Sequence, residues 1–177
     1  MNLSLKNKNA IVCGSTQGIG KATAIEFANQ GANVTLIARN NTVLKEVLSL
    51  LDTSKGQIHD FLCVDFSDKS FKEKIQSLTL PYDILVNNTG GPASGPIVNA
   101  STDEFINAFN MHLINNQILV QQVVEGMKKN NFGRIINVLS TSVKAPINGL
   151  GVSNTIRAAV ANWAKTLSLE LGVYGIT

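Results

Sequence analysis

Cys13-Gly14-Ser15-Thr16-Gln17-Gly18-Ile19-Gly20 follows a short apolar run at 9–13 and opens a segment of helical period at 19–29. A strand that turns into a helix over spaced glycines points backbone N–H groups outward, which is how a chain cradles a dinucleotide pyrophosphate. Gly14 permits the tight turn out of the strand, Gly18 lets backbone approach a diphosphate, and Gly20 lets the helix lie close on the sheet. An ordinary strand-to-helix turn would also explain the glycines taken alone, so the rest of the chain has to decide.

Outward from this turn, β-branched runs alternate with longer helical segments. Residues 9–13, 33–38, 58–64, 84–87 and 134–139 read as strands, apolar nearly throughout, as central parallel strands covered on both faces should be. Residues 19–29, 42–51, 67–78, 102–129 and 152–171 carry apolar residues at three- and four-residue spacings and read as helices. Right-handed β-α-β crossovers then give an α/β, doubly wound parallel sheet. Linkers, repeats and low-complexity tracts are lacking, and the Gly/Pro-rich piece from Gly90 to Pro96 follows a strand, where site loops of open sheets belong.

With 177 residues, 44% apolar and 15% charged, the chain suffices for one domain, 1–177, with a substantial core. Its net charge of +3 comes from scattered lysines with no basic stripe, which argues against nucleic acid. Cys13 and Cys63 both fall in predicted strands, and two buried thiols suggest a reducing, cytoplasmic setting. Neither has metal-ligand spacing with His59 or His112, so no metal is expected. No apolar run approaches the roughly 20 residues that span a bilayer, and the polar start Met1-Asn2-Leu3-Ser4 lacks a secretory segment, so no membrane role is expected.

Several further motifs make the reading specific. The Gly-x-x-x-Gly-x-Gly spacing, Asp65 after the third strand, Asn87-Asn88-Thr89-Gly90 after the fourth, Gly133-Arg134-Ile135-Ile136-Asn137 leading to Ser140, and Leu169-Glu170-Leu171 before Gly175-Ile176-Thr177 resemble the short-chain dehydrogenase/reductase family. The resemblance runs the length of the chain and is strongest to the 3-oxoacyl-acyl-carrier-protein reductase group. It implies a Rossmann-like domain, a nicotinamide cofactor, a small carbonyl or acyl-thioester substrate, and a homodimer or homotetramer built through the helices at 102–129 and 152–171. It also assigns Gly14, Ser15, Thr16, Gly18, Ile19 and Gly20 to the cofactor-binding segment, Asp65 to the adenine amino group, and Asn88 and Gly90 to the adenosine side. Thr89 replaces the usual alanine, a small change. At the end of the second strand, Ala38-Arg39 offers no acid for a ribose 2′-hydroxyl and places a guanidinium that can clamp a 2′-phosphate. NADP(H) is therefore favoured, with NAD(H) as the alternative through Asn40 or Asn41.

The family's catalytic set is a serine, a tyrosine, a lysine four residues later, and an asparagine on the preceding long helix. Counted from Gly133, Ser140 matches the serine, Ser153 falls at the tyrosine, Arg157 at the lysine and His112 at the asparagine. Ser153 and Arg157 are one helical turn apart and share a face, yet an aliphatic hydroxyl is a far weaker acid than a phenol of pKa about 10. Arg157 can hold ribose and supply a positive field but cannot shuttle a proton. His112, with an ordinary pKa near 6.5, suits general acid work; it falls about 100° from Leu113, at the edge of the stripe Phe105, Phe109, Leu113, Val120, Val123 and Met127, where a backbone-bonded histidine is the plainer reading. Ser142 could stand in for Ser140, and Lys144 could reach the pocket mouth or be solvated. A cofactor-binding protein without turnover, serving assembly or regulation, is the alternative to an oxidoreductase. The family continues past the equivalent of Gly175-Ile176-Thr177 into further strands, so the C-terminal strands are expected to be missing and one sheet edge open.

Overall fold

A computed structural model of the protein describes residues 3–177; Met1 and Asn2, part of the polar start, lie outside the described residues. Five strands, β1 Asn9–Cys13, β2 Asn33–Ala38, β3 Asp60–Cys63, β4 Ile84–Asn87 and β5 Arg134–Asn137, form one sheet in the order β3-β2-β1-β4-β5. All four pairings are parallel, so each crossover needs a helix. The helices are α1 Gly18–Asn29, α2 Asn41–Ser49, α3 Phe71–Gln76, α4 Thr102–Phe109, α5 Asn115–Lys129 and α6 Gly151–Leu171. The expected α/β doubly wound architecture is the observed one.

Side chains alternate faces along each strand, and both faces are covered. Ile11, Cys13, Ile37 and Leu85 pack with Phe71 and Ile75 of α3 and with Leu119, Val123 and Met127 of α5. Ala10, Val12, Leu36 and Val86 pack against Ala24 and Ala28 of α1 and Leu44 and Val47 of α2. The small residues of α1 let it lie close, and its start is closer still: a Cβ on Gly20 would sit 2.2 Å from the Gly14 carbonyl oxygen. From β1 the chain winds outward to β2 and β3, then returns to lay β4 on the other side of β1. That reversal makes a crevice beyond the carboxyl ends of β1 and β4.

The structure departs from the sequence reading in several places, each with a local cause. The third strand starts at Asp60 rather than at 58, because Ile58 turns outward and its N–H donates to the Asn33 side chain. Helix 67–78 contracts to α3, since Asp65 and Asp68 accept from the Ser67 and Ser70 N–H groups and hold the chain in turns. β3 and β5 are edges rather than central strands, and Cys63 is only half-buried where a buried thiol was expected. Beyond β5, the Ile135 N–H donates to Thr177 and the Thr177 N–H to Gly133, so the last residues begin to pair along that edge.

The expected helix 102–129 is three pieces, with a π-helical turn at Asn110–Ile114 between α4 and α5. α4 starts on a capping box in which Ser101 accepts from the Glu104 N–H and the Glu104 carboxylate from the Ser101 N–H. The extra residue of the π turn shifts the helical phase. The buried line accordingly runs through Ala108, His112, Asn116 and Val120, while Phe109 is exposed. His112 is thereby moved from the stripe's edge into the interior. Among the described residues no helix is long and apolar enough to cross a membrane.

Leu119→Ala is expected to lower the unfolding free energy by about 2–5 kcal/mol, because the side chain is fully enclosed between α5 and the sheet. Ile106→Ala, on the exposed side of α4, should change it by less than about 0.5 kcal/mol in the same urea titration.

Candidate functional site

The crevice is a cavity of about 440 Å³ lined by Gly14, Thr16, Gln17, Gly18, Ile19, Ala38, Arg39, Asp65, Phe66, Asn88, Thr89, Gly90, Gly91 and Met111. Its floor is the glycine turn. Gly14 and Gly18 have φ of +59° and +51°, and a Cβ on Gly18 would meet nothing within 4 Å, so that glycine borders open space. α1 starts without a capping side chain and without an acidic residue in its first turn, leaving its N–H groups and the positive end of its dipole toward the cavity. These features fit a diphosphate: room for close approach, donors, and a matching field.

Gly14, Gly20 and Asn88 form the joint that holds this shape. The Asn88 amide donates to the Cys13 carbonyl at 3.2 Å and lies 3.5 Å from that of Gly14, and a Cβ on Gly14 would come 2.5 Å from the Asn88 carbonyl oxygen. Asn88 thus lines the cavity while its side chain ties β4 to β1. Ser15 is fully buried, its hydroxyl facing the Ile37 carbonyl at 3.4 Å, and it lies outside the lining. Thr16 and Ile19 face the cavity.

On the β2 side, Arg39 and Asp65 meet at 3.7 Å, with the Arg39 side chain 80% exposed. The Ser67 backbone N–H, its hydroxyl and Arg39 together hold the Asp65 carboxyl below the usual carboxylate range. Asp65 is therefore an ionised acceptor at neutral pH. Arg39 is tied only by this solvated ion pair, which leaves its fork available to a phosphate.

On the β4 and β5 side lie the residues matched to the catalytic set. Ser140 caps the 3-10 turn Thr141–Val143 and accepts from the Ser142 N–H at 3.1 Å, which leaves its own proton to donate. Ser142 is buried with its hydroxyl unpartnered, and Lys144 is exposed. Ser153 is half-buried in the first turn of α6, and Arg157, one turn on, donates from Nη1 to the Val138 carbonyl at 3.2 Å. The start of α6 is fixed under the loop after β4: the Gly95 N–H donates to Gly149 at 2.7 Å and the Gly151 N–H to Gly95 at 3.3 Å.

His112 corrects two expectations. Its Nδ1 lies 2.7 Å from the Thr89 hydroxyl rather than on a backbone group, and its Nε2 is buried without a partner. Burial first, and then the nearby Arg157 charge, push its pKa down to about 4. At neutral pH the ring is uncharged, so an imidazolium reservoir near neutrality is not what this site holds. Thr89 is likewise more than a small change, since its hydroxyl joins the cavity wall to the buried ring. Reading it together with His112, as two polar replacements in one site, was the signal in the sequence. Gln17 and Gly91 line the cavity from within the glycine segment and the Gly90 to Pro96 loop, and Phe66 and Met111 are lining residues that no motif marked.

Comparison with known proteins agrees with this geometry. The profile for short chain dehydrogenase matches residues 8–177. NADPH-dependent reductase BacG of Bacillus subtilis (strain 168) is 28% identical over 181 residues, covering 98% of this chain and 69% of that protein. The (2S)-[(R)-hydroxy(phenyl)methyl]succinyl-CoA dehydrogenase subunit BbsD of Thauera aromatica is 30% identical over 183 residues, covering 99% and 71%. Among solved structures, L-sorbose reductase from Gluconobacter frateurii, complexed with NADPH and L-sorbose, matches at a TM-score of 0.90 and 28% identity over 99% of this chain and 68% of that one. The chain belongs to the short-chain dehydrogenase family.

Proposed function

We propose that the protein is a single dinucleotide-binding domain of an NADP(H)-dependent oxidoreductase acting on a small carbonyl or alcohol substrate, of the 3-oxoacyl-acyl-carrier-protein reductase type with an altered proton-delivery site. The observation that carries this reading is the open glycine cradle at Gly18 on the uncapped start of α1, with Arg39 and no acid at the end of β2. The NADPH named with BacG and with the sorbose reductase supports the choice of cofactor. Gly14, Thr16, Gly18, Ile19 and Gly20 hold the pyrophosphate side, with Ser15 supporting the turn from behind. Asp65 accepts from the adenine amino group, and Asn88 and Gly90 shape the adenosine side. Arg39 clamps a 2′-phosphate.

The nicotinamide, when bound, supplies the hydride. Ser140 donates its proton as a hydrogen bond to the substrate oxygen and polarises the carbonyl. Arg157 positions ribose and offsets negative charge growing on that oxygen. Ser153 stands where a stronger acid would serve, and its hydroxyl orients water rather than giving up a proton itself. Neutral His112 relays: it accepts a proton at one ring nitrogen as it releases one from the other, with Thr89 as the contact at the cavity wall. Exposed Ile106, Phe109 and Leu169 on α4 and α6 support assembly as a homodimer or homotetramer, and two free thiols suit the cytoplasm.

The second reading, a cofactor-binding protein without turnover, is favoured by one observation: no phenol stands at position 153 and the nearby imidazole is held neutral. NADPH absorbance followed across ketones, 3-oxoacyl thioesters and oxo acids separates the two. Oxidation with at least one of them is expected, and tight binding with no oxidation would establish the second reading.

NADPH should bind at least about tenfold more tightly than NADH, and Arg39→Ala should remove that margin, as loss of charge-assisted hydrogen bonds requires. A calorimetric titration favouring NADH would sink the clamp. His112 also gives a pH signature. Its folded pKa is about 4 against an ordinary 6.5, so between these values the unfolded state binds more protons. Stability should rise with pH across that window and fall by a few kcal/mol on acidification, and His112→Asn should flatten this part of the profile.

A further inference from the structure

The Arg157 guanidinium has a charge that nothing among the described residues matches. It is half-buried, uses Nη1 on the Val138 carbonyl, and holds Nη2 3.9 Å from where a Cβ on Gly91 would be, beside the cavity wall. Among the described residues no carboxylate lies within ion-pair distance of it. Burial lowers its pKa from the ordinary value, and no acid opposes that shift. A desolvated cation is costly unless an anion meets it.

Two buried polar atoms without partners belong to the same region. His112 is 1% exposed, feels the Arg157 charge and has an unpartnered Nε2. Ser142 Oγ is buried and unpartnered on the Thr141–Val143 turn, which packs against α6. In the tautomer in which Thr89 donates to Nδ1, the neutral ring carries its proton on Nε2 and can donate from there. A ribose would accept hydrogen bonds from a guanidinium but would leave its charge unmatched. A planar fork instead fits the two oxygens of a carboxylate.

We infer that Arg157 binds a carboxylate of the substrate, so that the carbonyl compound this protein takes carries a free carboxylate group. The inference rests on the reading of the cavity as a reductase site. It narrows the substrate class of that site by charge.

Acetoacetate and acetoacetamide differ in charge at one end and little in size, which makes them suitable probes. Calorimetric titrations of the protein, with and without saturating NADPH, are expected to show acetoacetate bound about tenfold to a hundredfold more tightly. The preference should vanish in Arg157→Gln and return in part in Arg157→Lys. Equal affinities, tighter binding of the amide, binding of neither, or a preference that survives in Arg157→Gln would each overturn the inference. If Arg157→Gln does not fold, Arg157→Lys decides: loss of the bidentate fork should weaken the preference about threefold or more, and an unchanged preference overturns it. NADPH titrated alone reports on the reductase reading separately. Its failure to bind removes that reading, whereas loss of charge selectivity with NADPH binding intact removes only the oxo-acid assignment.

Discussion

The site depends on one contact, the approach of the Gly14 turn to Asn88. At that point the end of β1, the start of α1 and the end of β4 lie closer than any side chain at positions 14 or 20 would allow, and the Asn88 amide is bonded across the gap to the Cys13 carbonyl. Backbone–backbone proximity of this kind is stiff, because neither partner has a rotamer with which to yield. The cavity walls therefore inherit the precision of the sheet, and the helix dipole, the Thr16 and Gln17 turn and the β4 loop keep fixed relative positions.

Around that joint the polar groups divide into two regions of different character. Toward β2 the charges are solvated: Arg39 and Asp65 pair loosely at the surface. Toward β5 they are enclosed. Burial disfavours the charged form of both His112 and Arg157, the Arg157 charge lowers the His112 pKa further, and the guanidinium, being the far stronger base, keeps its proton. The loss of a phenol at position 153 is thus accompanied by a reorganisation of the whole corner, in which an uncharged imidazole and a cation without an acid replace the acid and base of the family's usual set.

Much of this was legible in the sequence, for reasons particular to each element. The glycine turn was readable because its spacing answers a backbone constraint, and the inner strands because burial on both faces leaves an apolar run. The interior position of His112 was not readable, since a regular helical wheel assumes 3.6 residues per turn and one π turn breaks that assumption. α3 is shorter than its sequence suggests because aspartates that hold turns also look like the acidic start of a helix. Ser15 shares the segment with cavity-lining neighbours, whereas its own side chain turns inward to the Ile37 carbonyl, which sequence position does not reveal. The role of Thr89 depended on a partner 23 positions away, which no local pattern reports.

The π turn at Asn110–Ile114 also bears on how this helix can change through insertion and deletion. One surplus residue is stored there, between a segment whose phase is set by α6 and another whose phase is set by the sheet. Removing a single residue from that turn would return the helix to an unbroken α-period without displacing α4 or α5 from their partners, because the slip of about 100° would be absorbed at the junction itself. Which side chain then faces Thr89 would depend on the residue removed. In this family member the irregular turn is a place where the chain can gain or lose a functional side chain while the surrounding architecture stays in register.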